Sequence, residues 1–283
     1  MFTLALFAIA YHFAGDMLTN RSAGYIRLND DEIMVSFIDV GQGDSILIRT
    51  NDNAVLIDGG EHRYRDVVMD YLRNSRVERL CYVVATHPHS DHIGGLVTVL
   101  GRMEVGRLVM PEATHNTETF LRFMDAIENN DIYVRIPEPG DNIRAGLISL
   151  TVIAPTPGPQ TNLNNYSIVL RMVHGGNTFL FTGDAERESE MLMLAGGMEI
   201  HSQVLKVGHH GSRTSTTEEF LEAVNPSVAV IQVGADNIHG HPHREVMERL
   251  QARNITIFRT DQNGTIRMIT DGNGIRSPYT PGS

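Results

Sequence analysis

One cysteine, Cys81, occurs in 283 residues, which excludes an intramolecular disulfide. It sits in an apolar run and reads as a buried free thiol, so the compartment stays open on that evidence. Lysine is as scarce: among 23 basic residues Lys206 is the one lysine. Thirty-four acids against those 23 bases leave a formal net charge of −11, a poor footprint for broad nucleic-acid binding by phosphate neutralisation. A nucleic-acid substrate would have to be gripped locally. Long hydrophobic runs are missing too. Phe2 to Ala14, about thirteen mostly apolar residues broken by His12, is too short to cross a bilayer core of ~30 Å. No internal repeat is visible by direct matching.

What is present is enough for a core. A hydrophobic fraction of 41% supports one domain, placed at 30–270. Residues 1–20 read as a signal-peptide core or the stub of a membrane helix, which favours a secreted, periplasmic or membrane-attached protein over a cytoplasmic one. Residues 271–283 are polar and are expected to be a mobile tail. No protein partner is inferable.

Short apolar runs split by Gly, Asn and Asp predict strands at 34–38, 45–48 and 54–57, an antiparallel meander. Helix 64–73, strand 80–85, helix 93–100 and strand 108–110 follow. Asn116 is expected to cap a helix whose Phe120, Phe123, Met124 and Ile127 form a core stripe, with His115 solvated just before it. Segments 137–143 and 154–164 show no element of their own. A second meander is predicted from strand 165–170, a glycine turn beside His174, and strand 178–181. Helices 185–195, 217–224 and 243–253 come next, the second opening with a capping box, Ser215 to Glu218, and the third with Pro242 in its first turn. Strands 228–233, 255–258 and 265–269 complete the pattern. Meander, helices, meander, helices is the order of an α/β four-layer αββα sandwich.

The chemistry is concentrated in Thr86-His87-Pro88-His89-Ser90-Asp91-His92-Ile93-Gly94-Gly95, after the apolar run ending at Ala85. Three imidazoles and a carboxylate within six residues suit zinc or a similar borderline metal. His87 and His89 can turn toward one ion while Asp91 and His92, at the start of the next helix, turn toward a second. Asp184, after a strand at Gly183, is placed to bridge two ions. His209-His210-Gly211-Ser212 can supply the imidazole that the second ion lacks.

These residues carry a resemblance. The His-x-His-x-Asp-His motif resembles the metallo-β-lactamase fold superfamily. More narrowly, the stretches Phe37 to Asp44, Leu56 to Gly60, Leu205 to Ser212 and Gly240-His241-Pro242-His243 resemble the periplasm-facing domain of ComEC-type DNA-uptake proteins. The resemblance implies a zinc-dependent hydrolase with two ions, manganese being the alternative metal, that uses a metal-bound hydroxide on phosphodiesters, as a nuclease or phosphodiesterase. It implies His87, His89 and Asp184 on the first ion, Asp91, His92 and His209 on the second, and Asp58 orienting a ligand histidine from behind. The histidine that usually completes the first ion's set is missing. Asn165 and Ser167 stand in that region and are expected to bind water or substrate. Asp91, Lys206, His210 and His241 are the expected catalytic groups, Lys206 steadying phosphate charge and His210 or His241 protonating the leaving group. Ser212 and Arg213 would donate to phosphate oxygens. Hydrolysis of a lactam, lactone or thioester is the alternative enzyme reading, and a DNA-uptake or binding module without turnover is the alternative outside enzymes.

Overall fold

The computed structural model describes residues 25–277, apart from Pro159. The expectations for residues 1–20 lie outside the described residues. Two twisted sheets are built in chain order from β1 (Ile33–Phe37), β2 (Ile46–Arg49), β3 (Ala54–Ile57), β4 (Arg79–Val84), β5 (Glu104–Val109) and β6 (Val134–Arg135), then β7 (Asn142–Ala145), β8 (Ile148–Ala154), β9 (Val169–His174), β10 (Asn177–Phe181), β11 (Val204–Lys206), β12 (Val228–Ile231) and β13 (Thr256–Arg259), closing with β14 (Ile266–Thr270) and β15 (Ile275–Arg276). The first sheet runs β15-β14-β1-β2-β3-β4-β5-β6 and the second β13-β12-β11-β10-β9-β8-β7. Each begins as an antiparallel meander and continues as parallel strands, from β3 to β6 in one and from β10 to β13 in the other.

Side-chain alternation decides the layering. In β2 and β3, Ile46, Ile48, Val55 and Ile57 face the other sheet, while Leu47, Ala54 and Leu56 face outward onto helices. Both faces are covered, so these strands are apolar throughout and their register is firmly set. Between the sheets, Phe37 and Phe181 meet with ring centres 6.2 Å apart, a contact worth about 0.5–1.5 kcal/mol beyond area burial. Helices α1 (Arg65–Asn74), α2 (Ser90–Ile93), α3 (Leu96–Arg102) and α4 (Glu118–Asn129) cover the first sheet. The second is covered by α5 (Arg187–Gly196), α6 (Glu218–Val224) and α7 (Arg244–Ala252). A short α8 (Thr260–Asn263) precedes β14. This is the four-layer αββα sandwich. Among the described residues no helix is long and apolar enough to cross a membrane.

Several local expectations are corrected. Residues 163–166 form a 3-10 turn, and the strand expected at 165–170 begins at Val169. The β7–β8 hairpin was not anticipated, although Ile148, Leu150 and Val152 alternate into the core. Met124 is 38% exposed, off the stripe of Phe120, Phe123 and Ile127. Thr117, not Asn116, caps α4 by accepting from Phe120 N at 3.3 Å, and Thr217 caps α6 in the same way. Pro242 precedes α7 instead of lying in its first turn. The region after 270 turns back and pairs β15 with β14.

Candidate metal centre

The parallel strands of both sheets deliver their carboxyl ends to one edge of the sandwich, where α/β sheets place their ligands. After β4 the chain crosses Ala85 and Thr86, presents His87 and His89, and starts α2 with Asp91 and His92 in its first turn. The turn is packed closely, for a side chain on Gly95 would collide with the Gly59 carbonyl. From β3, Asp58 takes a left-handed backbone (φ 56°) and turns its carboxylate inward. Oδ1 accepts from Thr86 N at 2.8 Å, and Oδ2 accepts from Thr86 Oγ1 at 2.7 Å and lies 2.8 Å from His92 Nδ1. That contact leaves His92 Nε2 facing the site.

Asp184 follows β10, and its amide donates to Ser167 Oγ at 3.0 Å. Its Oδ2 lies 3.2 Å from His92 Nε2, 3.5 Å from His210 Nε2 and 3.7 Å from His87 Nε2. Among the described residues, two donor groups that include Asp184 result, each with ligand atoms within 4.8 Å of one another: Asp91, His92, Asp184 and His210, and His87, His89 and Asp184; Asp44, Asp58 and His92 form a third group behind them. Asp184 belongs to the first two.

The family model described as the metallo-beta-lactamase superfamily matches residues 38–234. The chain belongs to this superfamily. ComE operon protein 3 of Bacillus subtilis (strain 168) is 33% identical over 82% of this chain and 32% of that protein. Competence protein ComA of Neisseria gonorrhoeae is 31% identical over 88% of this chain and 34% of its own length. The chain thus spans about a third of the length of the curated relatives it matches. Among solved structures, CmlA, a diiron beta-hydroxylase from Streptomyces venezuelae, superposes with a TM-score of 0.54 at 14% identity, over 86% of this chain and 54% of that one, a likeness of fold alone.

As in a metallo-beta-lactamase site, the donors fit divalent ions. His92 Nε2, His210 Nε2 and Asp184 Oδ1 are buried and make no hydrogen bond, an arrangement that calls for a ligand. The local field favours cations. Burial opposes protonation of His92, yet Asp184, Asp58 and Asp91 raise its pKa well above the usual histidine value. His210 is raised well above the usual value in the same way, by Asp184, Asp44 and Asp91 against its burial. His87 is pushed well down, by burial and then by His92.

His210, not His209, joins the second group, which corrects the expected ligand set. Both residues take left-handed backbones, φ 48° and 54°, and that turn swings His210 inward so that Nδ1 meets Gln232 O at 2.9 Å. Two such non-glycine residues cost roughly 1–3 kcal/mol each. Loop contacts hold the turn: Ser215 Oγ donates to Gly208 O at 2.7 Å, and His209 N donates to Gly183 O at 3.1 Å. His209 is half-buried with Nδ1 3.1 Å from Glu186 Oε1. Burial would raise Glu186, but hydrogen bonds from His209, Asn164, Asn162 and Thr214 outweigh it and bring the carboxyl down to about 2.

The expected phosphate contact of Lys206 is also corrected. Its side chain is fully buried, paired with the Asp44 carboxylate and donating to Gly183 O at 3.0 Å, so it cannot meet a substrate. Asp44 in turn lies 3.3 Å from His210 Nδ1. Asn165 is buried and braces the chain, accepting from Glu186 N and donating to Glu188, both at 3.0 Å. Ser167 holds the Asp184 amide and sits 3.4 Å from His87 Nδ1. Ser167 is held inside the protein, whereas Asn165 also borders the cleft beside the centre. Ser212 Oγ is committed to Thr214 at 2.9 Å. His241 is half-buried at the rim, its ring centre 5.4 Å from that of His209. Burial and then its histidine neighbours bring it down to about 3.

Arg213 is exposed beside a cleft of about 570 Å³ that adjoins the centre through Glu186 and Thr214. Four glutamates and three arginines line it, so it is no cationic cradle. Sequence reasoning missed Glu186, Gln232 and the weight carried by Asp44. Their roles rest on contacts across the sandwich that no local pattern announces.

Proposed function

We propose that this protein is a metal-dependent hydrolase of phosphodiesters, a nuclease or phosphodiesterase with two divalent ions, zinc or manganese. The observation that carries the reading is Asp184, a buried carboxylate shared by a four-donor and a three-donor group. Held by His87, His89 and Asp184 and by Asp91, His92, Asp184 and His210, two ions would supply Lewis acidity and a water made acidic enough to ionise near neutral pH. The phosphodiester preference draws support from the names of the competence relatives and from the ions themselves as the phosphate-holding charge, since Lys206 is buried against Asp44.

The chain's own residues divide the work. Asp58 and Gln232 fix the tautomers of His92 and His210, and Ser167 fixes Asp184. Glu186 holds His209 by Nδ1 and leaves Nε2 to deliver a proton to the departing oxygen. Arg213, at the rim, meets a flanking phosphate.

The test is a screen of chelator-stripped protein reloaded with Zn²⁺, Mn²⁺ or Fe²⁺ against bis(p-nitrophenyl) phosphate, single-stranded DNA, a phosphomonoester, a chromogenic β-lactam and a lactone. Turnover of the first two is expected. Opening of the lactam or lactone with every phosphodiester left intact would overturn the substrate class, and binding of DNA without turnover of anything would overturn the enzyme reading.

A further inference from the structure

The two donor groups are unequal. One offers four protein ligands, the other only His87, His89 and Asp184. Asn165 and Ser167, in the stretch where the resemblance places a further ligand, brace Glu186, Glu188 and Asp184. A zinc site built from three protein donors has room for a further ligand, and catalytic zinc can expand to five-coordinate.

His115 stands next to the poorer group. The sequence suggests a solvated residue, yet the ring is half-buried and packs edge-on against His89, with ring centres 5.6 Å apart and planes at 62°. Two imidazoles sharing one tetrahedral ion at ~2.0–2.1 Å per bond have ring centres roughly 5 Å apart. His87 and His89, already in the group, are 4.7 Å apart. His115 Nδ1 lies 3.4 Å from Thr117 Oγ1, which leaves Nε2 as the free nitrogen. The loop 111–117 that carries it has no helix or strand of its own and is anchored at its two ends, by buried Pro111 and by Thr117 capping α4. Among the described residues, His115 is the one imidazole outside the donor groups whose ring contacts His89.

We propose that His115 is the fourth protein donor for the ion held by His87, His89 and Asp184, reaching it by a small swing of loop 111–117. The inference rests on the two-ion reading of the centre and adds a ligand from a part of the chain that the motifs do not contain. It makes the two ions alike in protein donor count. The loop thereby becomes sensitive to metal, ordered by the ion it helps to hold.

Calorimetric titration of chelator-stripped full chain with Zn²⁺ tests this without any activity assay. The unaltered protein should take up two equivalents. His115→Ala should keep one at unchanged affinity and weaken the other by at least about tenfold, since even partners behind a ligand are worth 10–100-fold. His115→Asp, which restores a donor, should recover most of that loss. His210→Ala should weaken the equivalent that His115→Ala spares. The metal-free melting temperature of His115→Ala should match that of the parent, separating ligand loss from misfolding. Two undiminished equivalents in His115→Ala would overturn the inference and leave the two-ion reading standing. Failure of the unaltered protein to bind two ions would overturn both.

Discussion

His87 to His92 and His209 to His210 reach the same centre by opposite means. The first segment runs from a strand end into a helix start in ordinary backbone geometry, so its spacing alone aims the ligands. The second puts two histidines in left-handed conformation, and only contacts from Ser215, Gly183 and Gln232 decide which of them turns inward. A ligand set can be half written in local spacing and half in tertiary restraint.

Removing the shared carboxylate should erase the difference between the two segments. Asp184→Ala is expected to weaken both metal equivalents and lower phosphodiester turnover by three orders of magnitude or more, measured by elemental analysis after dialysis and by initial rates. Retention of two ions would mean that Asp184 is not shared.

Lys206→Met should act mainly on stability. It strands the buried Asp44 carboxylate, and breaking a buried pair costs about 3–5 kcal/mol. Chemical denaturation of the metal-free protein reads this loss, and adding Asp44→Asn to the same chain should recover most of it. A double variant as unstable as the single would show that Lys206 matters through Gly183 instead.

Ser215→Ala sharpens the contrast. It should remove about 1–2 kcal/mol and weaken one zinc equivalent roughly tenfold, because the strained turn loses its tether while the first motif keeps its own. Equal weakening of both equivalents would remove the distinction between the segments. The smallest effect is expected from Arg213→Ala, a severalfold rise in KM for a dinucleotide substrate with metal content and melting temperature unchanged.

Much of the architecture was legible because both sheets are buried on two faces and their turns are punctuated by glycine and asparagine. The β7–β8 hairpin is hard to read from sequence although its alternation is present, because Pro/Gly-rich stretches flank Ile148 to Val152 on both sides. At the site, His87, His89, Asp91 and His92 lie within one local run, whereas the choice between His209 and His210 turns on Gln232 and Glu186, more than twenty residues away in either direction. Lys206 misled for a different reason. A sole lysine beside a motif looks like a contact for substrate until its depth is known. Buried under Asp184 with Asp44, it serves the scaffold.

That depth makes Lys206 a reporter. The chain carries a single ε-amine, and it is sealed between the sheets, so acylating reagents that decorate most protein surfaces find no lysine on this one. Acylation of Lys206 requires the sandwich to part at the metal edge. Its labelling rate, followed by peptide mass, therefore clocks how often the centre opens, and ions that staple the two halves together should slow that clock.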